Sequence, residues 1–120
     1  MSYIASTEEA FAYHKATGCP VLRAKEVLEG MEPLLRERVL QAVSQKMRSR
    51  VLRDPIEEDP KASSIIAQAR EEAEVIVKQR GLSGKGVCHS IWFEQARILQ
   101  DKFQIKWFSP KEMNPGVFFD

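Results

Sequence analysis

The chain has 120 residues, of which 43% are hydrophobic and 29% are charged, and this ordinary globular composition excludes wholesale disorder. Its 18 Lys and Arg residues nearly balance its 17 Asp and Glu residues, so the net charge provides no global attraction to nucleic acid or to anionic membranes. The length predicts a single domain spanning residues 1–120.

The cellular compartment can also be inferred from the sequence. The amino terminus lacks the basic start and the apolar run of a secretion signal, and no apolar run approaches the ~20 residues needed to span a membrane. Two cysteines, Cys19 and Cys88, are too few for a disulfide scaffold. We therefore expect a soluble cytoplasmic protein without a membrane partner.

Three helices are predicted in the first part of the chain. A Ser-Thr-Glu-Glu capping box that begins at Ser6 starts the first helix, and Gly18 is suited to end it. The second helix is predicted over residues 20–30. The third begins near Pro33, and its core-facing side is made of Leu35, Val39, Ala42 and Val43.

The same helical face then changes from apolar to basic, at Lys46, Arg50 and Arg53. The basic segment to which they belong also contains Arg36, Arg38 and Arg48. An acidic stretch at residues 54–59 follows directly, and its prolines are expected to keep it out of helix. The acidic residues can fold back onto the basic segment, or the basic segment can contact phosphate groups. We favour intramolecular pairing, because the neighbouring carboxylates would repel a polyanion.

Two long helices are predicted next. Asp59 can cap the fourth helix with Pro60 at its first position, and an apolar seam continues to Arg80. A glycine-rich connector at residues 81–86 precedes a fifth helix that starts near Val87. The apolar stripe of the fifth helix, which should face the core, consists of Cys88, Trp92, Ala96, Leu99 and Phe103, flanked by Ile91 and Ile98.

The remaining segment is predicted to be irregular. Ile105, Trp107 and Phe108 form a short apolar run, which is the candidate for a strand. Ser109 and Glu112 repeat the capping-box pattern and predict one or two helical turns. The sequence therefore predicts an all-α fold, a compact domain of about five helices with an irregular aromatic C-terminal tail.

Cysteine and histidine residues suggest two kinds of chemistry, and we disfavour both. Cys88 precedes His89 at a helix start, where free amides favour a nucleophilic thiolate. However, adjacent helical residues point about 100° apart, and Cys88 belongs to the apolar stripe. Together with His14 and Cys19, these residues have the types but not the spacing of zinc ligands. We predict no catalytic residue, no bound metal and no cofactor.

Aromatic side chains are concentrated near the carboxyl terminus, at Trp107, Phe108, Phe118 and Phe119. Because large aromatic residues often anchor protein interfaces, these are the predicted partner-binding residues. The alternative is that the tail folds back and completes the core of its own chain.

The leading hypothesis is a small non-enzymatic interaction protein, an adaptor or inhibitor. It would use the C-terminal aromatics or the charged third helix to bind another protein or a second copy of itself. An enzyme with nucleophilic Cys88 is the second hypothesis. A nucleic-acid binder that uses the segment from Arg36 to Arg53, chiefly Lys46, Arg50 and Arg53, is the third and is disfavoured.

Overall fold

The chain is helical throughout the part that a computed structural model describes, which covers residues 3–45, 51–117 and 119. Its long helices are Thr7–Thr17 (α1), Val21–Gly30 (α2), Pro33–Ser44 (α3), Ser63–Gln79 (α4) and Val87–Phe103 (α5), followed by the short helix Pro110–Met113 (α6). No strand occurs within the described ranges, and none of their helices is long and apolar enough to cross a membrane. The predicted all-α class with about five helices is confirmed.

Helix α1 begins and ends where its local sequence predicts. The Ser6 hydroxyl accepts a hydrogen bond from the Glu9 backbone amide, and the Glu9 carboxylate accepts one from the Ser6 amide, both at 3.0 Å. Gly18 ends the helix in the left-handed conformation with φ of 80°, which a residue without Cβ adopts at little cost. Local capping chemistry is therefore sufficient to define this element.

The α1–α3 cluster is the first of two hydrophobic cores. It combines the inner faces of these three helices with side chains from later parts of the chain. Its buried members are Ala5, Ala10, Tyr13, Ala24, Leu28, Met31, Val39, Ala42, Leu52, Phe108 and Met113. The predicted inner face of α3 is confirmed at Val39 and Ala42, which are fully buried.

The α4–α5 cluster is the second core and is built mainly from a helical hairpin. Its buried members are Ala62, Ile66, Ala69, Ala73, Ile98, Leu99 and Trp107. Helix α4 begins at Ser63, three residues later than the Pro60 start that the sequence predicted. The reason is a turn at Asp59, whose carboxylate accepts from the Lys61 amide at 2.8 Å while its backbone carbonyl accepts from the Ser63 amide at 2.8 Å.

The buried face of α5 differs from the predicted apolar stripe. Leu99 and Ile98 are buried as expected, but Cys88, Trp92 and Ala96 are only half-buried, and Phe103 is 39% exposed. Glu94 and Gln95, which do not belong to the apolar stripe, are buried on the same face as Ile98 and Leu99. The helix is therefore rotated from the orientation that its apolar residues alone indicate.

The two clusters meet at the acidic stretch, where Asp54 is 1% exposed. One Asp54 carboxylate oxygen accepts from the Arg38 guanidinium at 2.6 Å and from the Phe108 amide at 2.9 Å. The other oxygen accepts from the Ile56 amide at 3.1 Å and starts a 3-10 turn over Pro55–Glu58. The prolines thus exclude α-helix but not this tighter turn.

Residues 104–109 are irregular, so the strand considered for Ile105 to Phe108 does not form. Its backbone groups are satisfied by side chains instead of a neighbouring strand: the Lys106 carbonyl accepts from Arg38 at 3.0 Å and the Phe108 amide donates to Asp54. Trp107 packs in the α4–α5 cluster, whereas Phe108 packs in the α1–α3 cluster. Two adjacent aromatic residues therefore tie the cores together.

Candidate functional site

A groove with a volume of about 580 Å³ runs between helix α5 and the segment that contains α6. One wall is a single face of α5, at positions spaced by three or four residues. That wall is formed by His89, Trp92, Phe93, Ala96, Arg97, Gln100 and Asp101. The opposite wall is formed by Lys106, Trp107, Ser109, Lys111 and Glu112. Trp92 and Ala96, two residues that the sequence assigned to the core, thus line this groove instead.

Phe93 is the most exposed aromatic side chain of this groove, at 69%. A single exposed apolar residue is ordinary on a protein surface and carries no argument by itself. Here the exposed ring lies beside the half-buried Trp92 and the buried Trp107 in one concave surface. Aromatic side chains grouped in a concavity are the usual anchors of a binding site.

At the end of the groove near the start of α5, two lining residues, His89 and Trp92, also contact Phe119 of the same chain. The backbone carbonyl of Phe119 accepts a hydrogen bond from His89 Nε2 at 3.0 Å. The Phe119 ring meets the Trp92 ring edge to face, with centroids 5.2 Å apart and planes at 87°. His89 also contacts Trp92 edge to face at 5.6 Å. This end therefore receives both an aromatic ring and the peptide group attached to it.

The backbone leading to Phe119 is held by Lys111. Its ammonium group donates to the carbonyl of Pro115 at 3.1 Å and to that of Val117 at 2.7 Å. Both bonds go to main-chain carbonyls, so they fix the path of the chain without selecting a side chain. The main chain at residues 115 and 117 is therefore held by a side chain that lines the groove, through contacts that another peptide could reproduce.

The charges along the groove are largely paired. Arg97 donates to the Glu94 carboxylate at 2.7 Å and lies 3.7 Å from that of Asp101. The hydrogen bonds from Arg97 to Glu94, together with one from Arg80, hold the pKa of the buried Glu94 below its usual range. Lys106 rests 5.0 Å from the centre of the Phe108 ring. With its charges engaged in this way, the groove is better suited to an apolar ligand than to a polyanion.

The structure places the predicted partner-binding aromatics in different environments. Trp107 is 3% exposed and Phe108 is 1% exposed, so both contribute to the cores of their own chain. Phe119 is half-buried against Trp92, and Phe118 lies outside the described residues. Phe119 thus contacts its own chain, and binding of a partner through these four residues stays a prediction.

The cysteine and histidine residues considered for catalysis or metal binding lie in different parts of the structure. His14 Nδ1 lies 2.6 Å from the carbonyl of Cys19 in the α1–α3 cluster, whereas Cys88 and His89 begin α5. Within the described ranges, no group of three or more His, Cys, Asp or Glu side chains could hold a metal ion. His89 lines the groove and contacts Phe119, and the groove's lining does not include Cys88.

The described part of the basic segment is used inside the molecule. Arg36 donates to the carbonyls of Leu28 and Met31 at 2.8 and 2.7 Å, which completes the end of α2. Arg38 pairs with Asp54, and Arg53 lies 3.8 Å from the carboxylate of Glu57.

Lys46, Arg48 and Arg50 lie outside the described residues. Helix α3 ends at Ser44, and the described Arg53 lies outside it. Nucleic-acid binding through Lys46, Arg50 and Arg53 stays a prediction.

No known protein family, curated protein or solved structure matches this chain. Sequence reasoning did not single out Phe93, Arg97 or Gln100 as members of a site. Their spacing of three and four residues on α5 was visible, but the apolar stripe beside them masked it.

Proposed function

We propose that the chain is a non-enzymatic interaction protein that binds an apolar segment of a partner protein in the groove between α5 and residues 106–112. The observation that carries the proposal is the seating of Phe119, whose ring and carbonyl contact Trp92 and His89 at one end of the groove. A site that accommodates a peptide group and its aromatic side chain has the chemistry required for a peptide ligand.

The unfilled part of the groove gives a partner room to bind. Phe93 remains 69% exposed although it belongs to the same concave surface. A partner that covers this ring would gain the free energy of removing aromatic surface from water, roughly 25 cal/mol for each Å² buried. The groove, and not helix α3, is the favoured interaction surface, because Arg36 and Arg38 are already engaged within the molecule. The cytoplasmic location expected from the sequence stays a prediction.

The proposal is tested by selecting peptides from a random display library on the folded full-length chain. We expect the selected peptides to contain aromatic residues and to lose at least tenfold in affinity for the Phe93→Ser variant. Phe103→Ser is the matched control, because Phe103 lies on the same helix with 39% exposure and does not line the groove. Peptides that bind wild-type and Phe93→Ser protein with equal affinity would contradict the proposal.

A further inference from the structure

We propose that the carboxyl-terminal tail after Asn114 is a built-in competitor for the groove, and that the partner segment presents a phenylalanine-like ring and its backbone carbonyl to Trp92 and His89. This inference rests on the proposed function of the groove, and it specifies both the chemistry of the ligand and how access to the site is controlled. The partner would displace the tail from one end while covering Phe93 at the part that the tail leaves open.

The tail has a defined point of attachment from which it can be released. Asn114 is 1% exposed and is fixed by hydrogen bonds to Leu52, whereas Pro115 and Gly116 are exposed. The Val117 amide donates to the Asn114 carbonyl at 3.0 Å and closes the turn between them. The body of the molecule therefore ends in a buried anchor, and release of the tail beyond it leaves that anchor intact.

The contacts of the tail are strong enough to compete and weak enough to be displaced. For the described tail residues, 115–117 and 119, they include one edge-to-face ring pair, the hydrogen bond from His89, and the two bonds from Lys111 to backbone carbonyls. We expect the docked form of the tail to exceed the open form about tenfold, which corresponds to roughly 1.4 kcal/mol. With an effective concentration in the millimolar range for a short tether, the same tail as a separate peptide should bind with a Kd of about 0.1 mM.

The tail of a second copy of this chain is not the preferred partner. A tail from another molecule would make the same contacts but would lack the advantage of covalent attachment. A successful competitor must gain additional contacts, and the exposed Phe93 provides the place to make them. The favoured partner is therefore a different protein whose aromatic segment contacts Trp92 and extends far enough to cover Phe93.

The test uses a fluorescent peptide with the sequence of residues 115–120, Pro-Gly-Val-Phe-Phe-Asp, titrated with full-length protein up to about 1 mM. Anisotropy should show at least tenfold tighter binding to the Phe119→Ala variant than to wild type, because the substitution frees the end of the groove. A peptide with alanine in place of the residue equivalent to Phe119 should not bind. Phe103→Ala should behave as wild type.

His89→Ala, added to Phe119→Ala, should weaken binding because the donor to the ligand carbonyl is lost. His89 is exposed near the start of α5 and Phe119 lies in the tail. Circular dichroism verifies that the variants are folded. Equal affinity of wild type and Phe119→Ala for the peptide would overturn the competitor and leave the groove as a binding site. Absence of peptide binding to Phe119→Ala would also overturn the inference, whereas display peptides that depend on Phe93 would still support the proposed function.

Discussion

The α1–α3 cluster and the α4–α5 cluster are both built from amphipathic helices, but they differ in the polar groups that their helices bury. The buried helical residues of the first are apolar apart from the Tyr13 hydroxyl. In the second, α5 buries Glu94 and Gln95 beside Ile98 and Leu99. A helix face that contains buried polar residues is not recognisable from apolar periodicity, which explains why the first cluster was predicted more accurately than the second.

Asp54 and Glu94, the two buried carboxylates among the described residues, also differ in their partners. Asp54 at the junction accepts from two backbone amides and from Arg38, whose side chain is 18% exposed. Glu94 in the hairpin accepts from Arg80 and Arg97, whose side chains are 56% and 46% exposed. Asp54 therefore fixes the course of the main chain between the clusters, whereas Glu94 neutralises side chains that water can also solvate.

The largest effect is expected from Asp54→Ala. The substitution leaves the Arg38 guanidinium and the buried Phe108 amide without their acceptor, and it should lower the free energy of unfolding by about 3–5 kcal/mol. Urea denaturation followed by circular dichroism measures the loss. Glu58→Ala is the control from the same acidic stretch, because Glu58 is exposed, and its effect should stay within about 0.5 kcal/mol. Similar losses for both variants would show that Asp54 does not hold the junction.

Asn114→Ala tests how the end of α6 is held to the α1–α3 cluster and should have the next largest effect. The Asn114 amide bonds both the amide and the carbonyl of Leu52, at 2.9 and 2.8 Å, and Leu52 is itself buried. Loss of both partners should cost about 2–4 kcal/mol in denaturation experiments. Pro115→Ala, at an exposed neighbouring position, should change stability little. If the two variants unfold at the same denaturant concentration, the Asn114 bonds are not required for the docking of α6.

Glu94→Gln tests the hairpin and should show a smaller, pH-dependent effect. Hydrogen bonds from Arg97 and then Arg80 lower the pKa of Glu94 in the folded protein, whereas an unfolded Glu has a pKa of about 4.3. The stabilisation is therefore complete above that value and is lost as the pH falls through the folded-state pKa. At neutral pH the substitution should cost about 1–2 kcal/mol, because both arginines are partly solvated.

Denaturation midpoints measured between pH 7 and pH 3 distinguish this mechanism from a simple loss of packing. The difference between wild type and Glu94→Gln should shrink as the solution becomes acidic. Glu9, whose pKa is lowered mainly by the hydrogen bond from Tyr3, contributes equally to the acid sensitivity of both proteins. Curves that remain parallel over the whole range would exclude the ionised Glu94 as the source of the effect.

The features predicted best from the sequence depend on neighbouring residues. The capping boxes at Ser6 and Ser109 and the glycine end at Gly18 all form as expected, since each motif satisfies backbone groups within its own turn. The intramolecular pairing of the acidic stretch was also anticipated, and among the described residues its basic partners are Arg38, which bonds Asp54, and Arg53, which lies near Glu57. Charge balance indicated pairing, but long-range packing selected the partner.

The candidate groove could not be predicted because it depends on contacts between distant parts of the chain. The rotation of α5 is set by burial of Glu94 with Arg80, fourteen residues away, and by the Gln95 amide, which donates to the Ile66 carbonyl in α4. Trp107 lines the groove from the opposite wall because its indole donates to Glu57 at 2.9 Å and because the backbone on either side of it is bonded to Arg38 and Asp54. None of these pairings has a sequence spacing that a helical period reveals.

Phe93→Ser should have the smallest effect on stability and thereby separates the groove from both cores. The ring is 69% exposed, and phenylalanine and serine have similar helix propensities, so the free energy of unfolding should change by less than about 0.5 kcal/mol. Phe103→Ser should cost more, because over half of that ring is buried, but its loss should not depend on protein concentration. Thermal and urea denaturation at two protein concentrations check this expectation. For Phe93→Ser, a loss above about 1 kcal/mol that increases with protein concentration, with no such dependence for Phe103→Ser, would mean that a second copy covers Phe93 in solution. The groove would then be a dimer interface instead of a site for another protein.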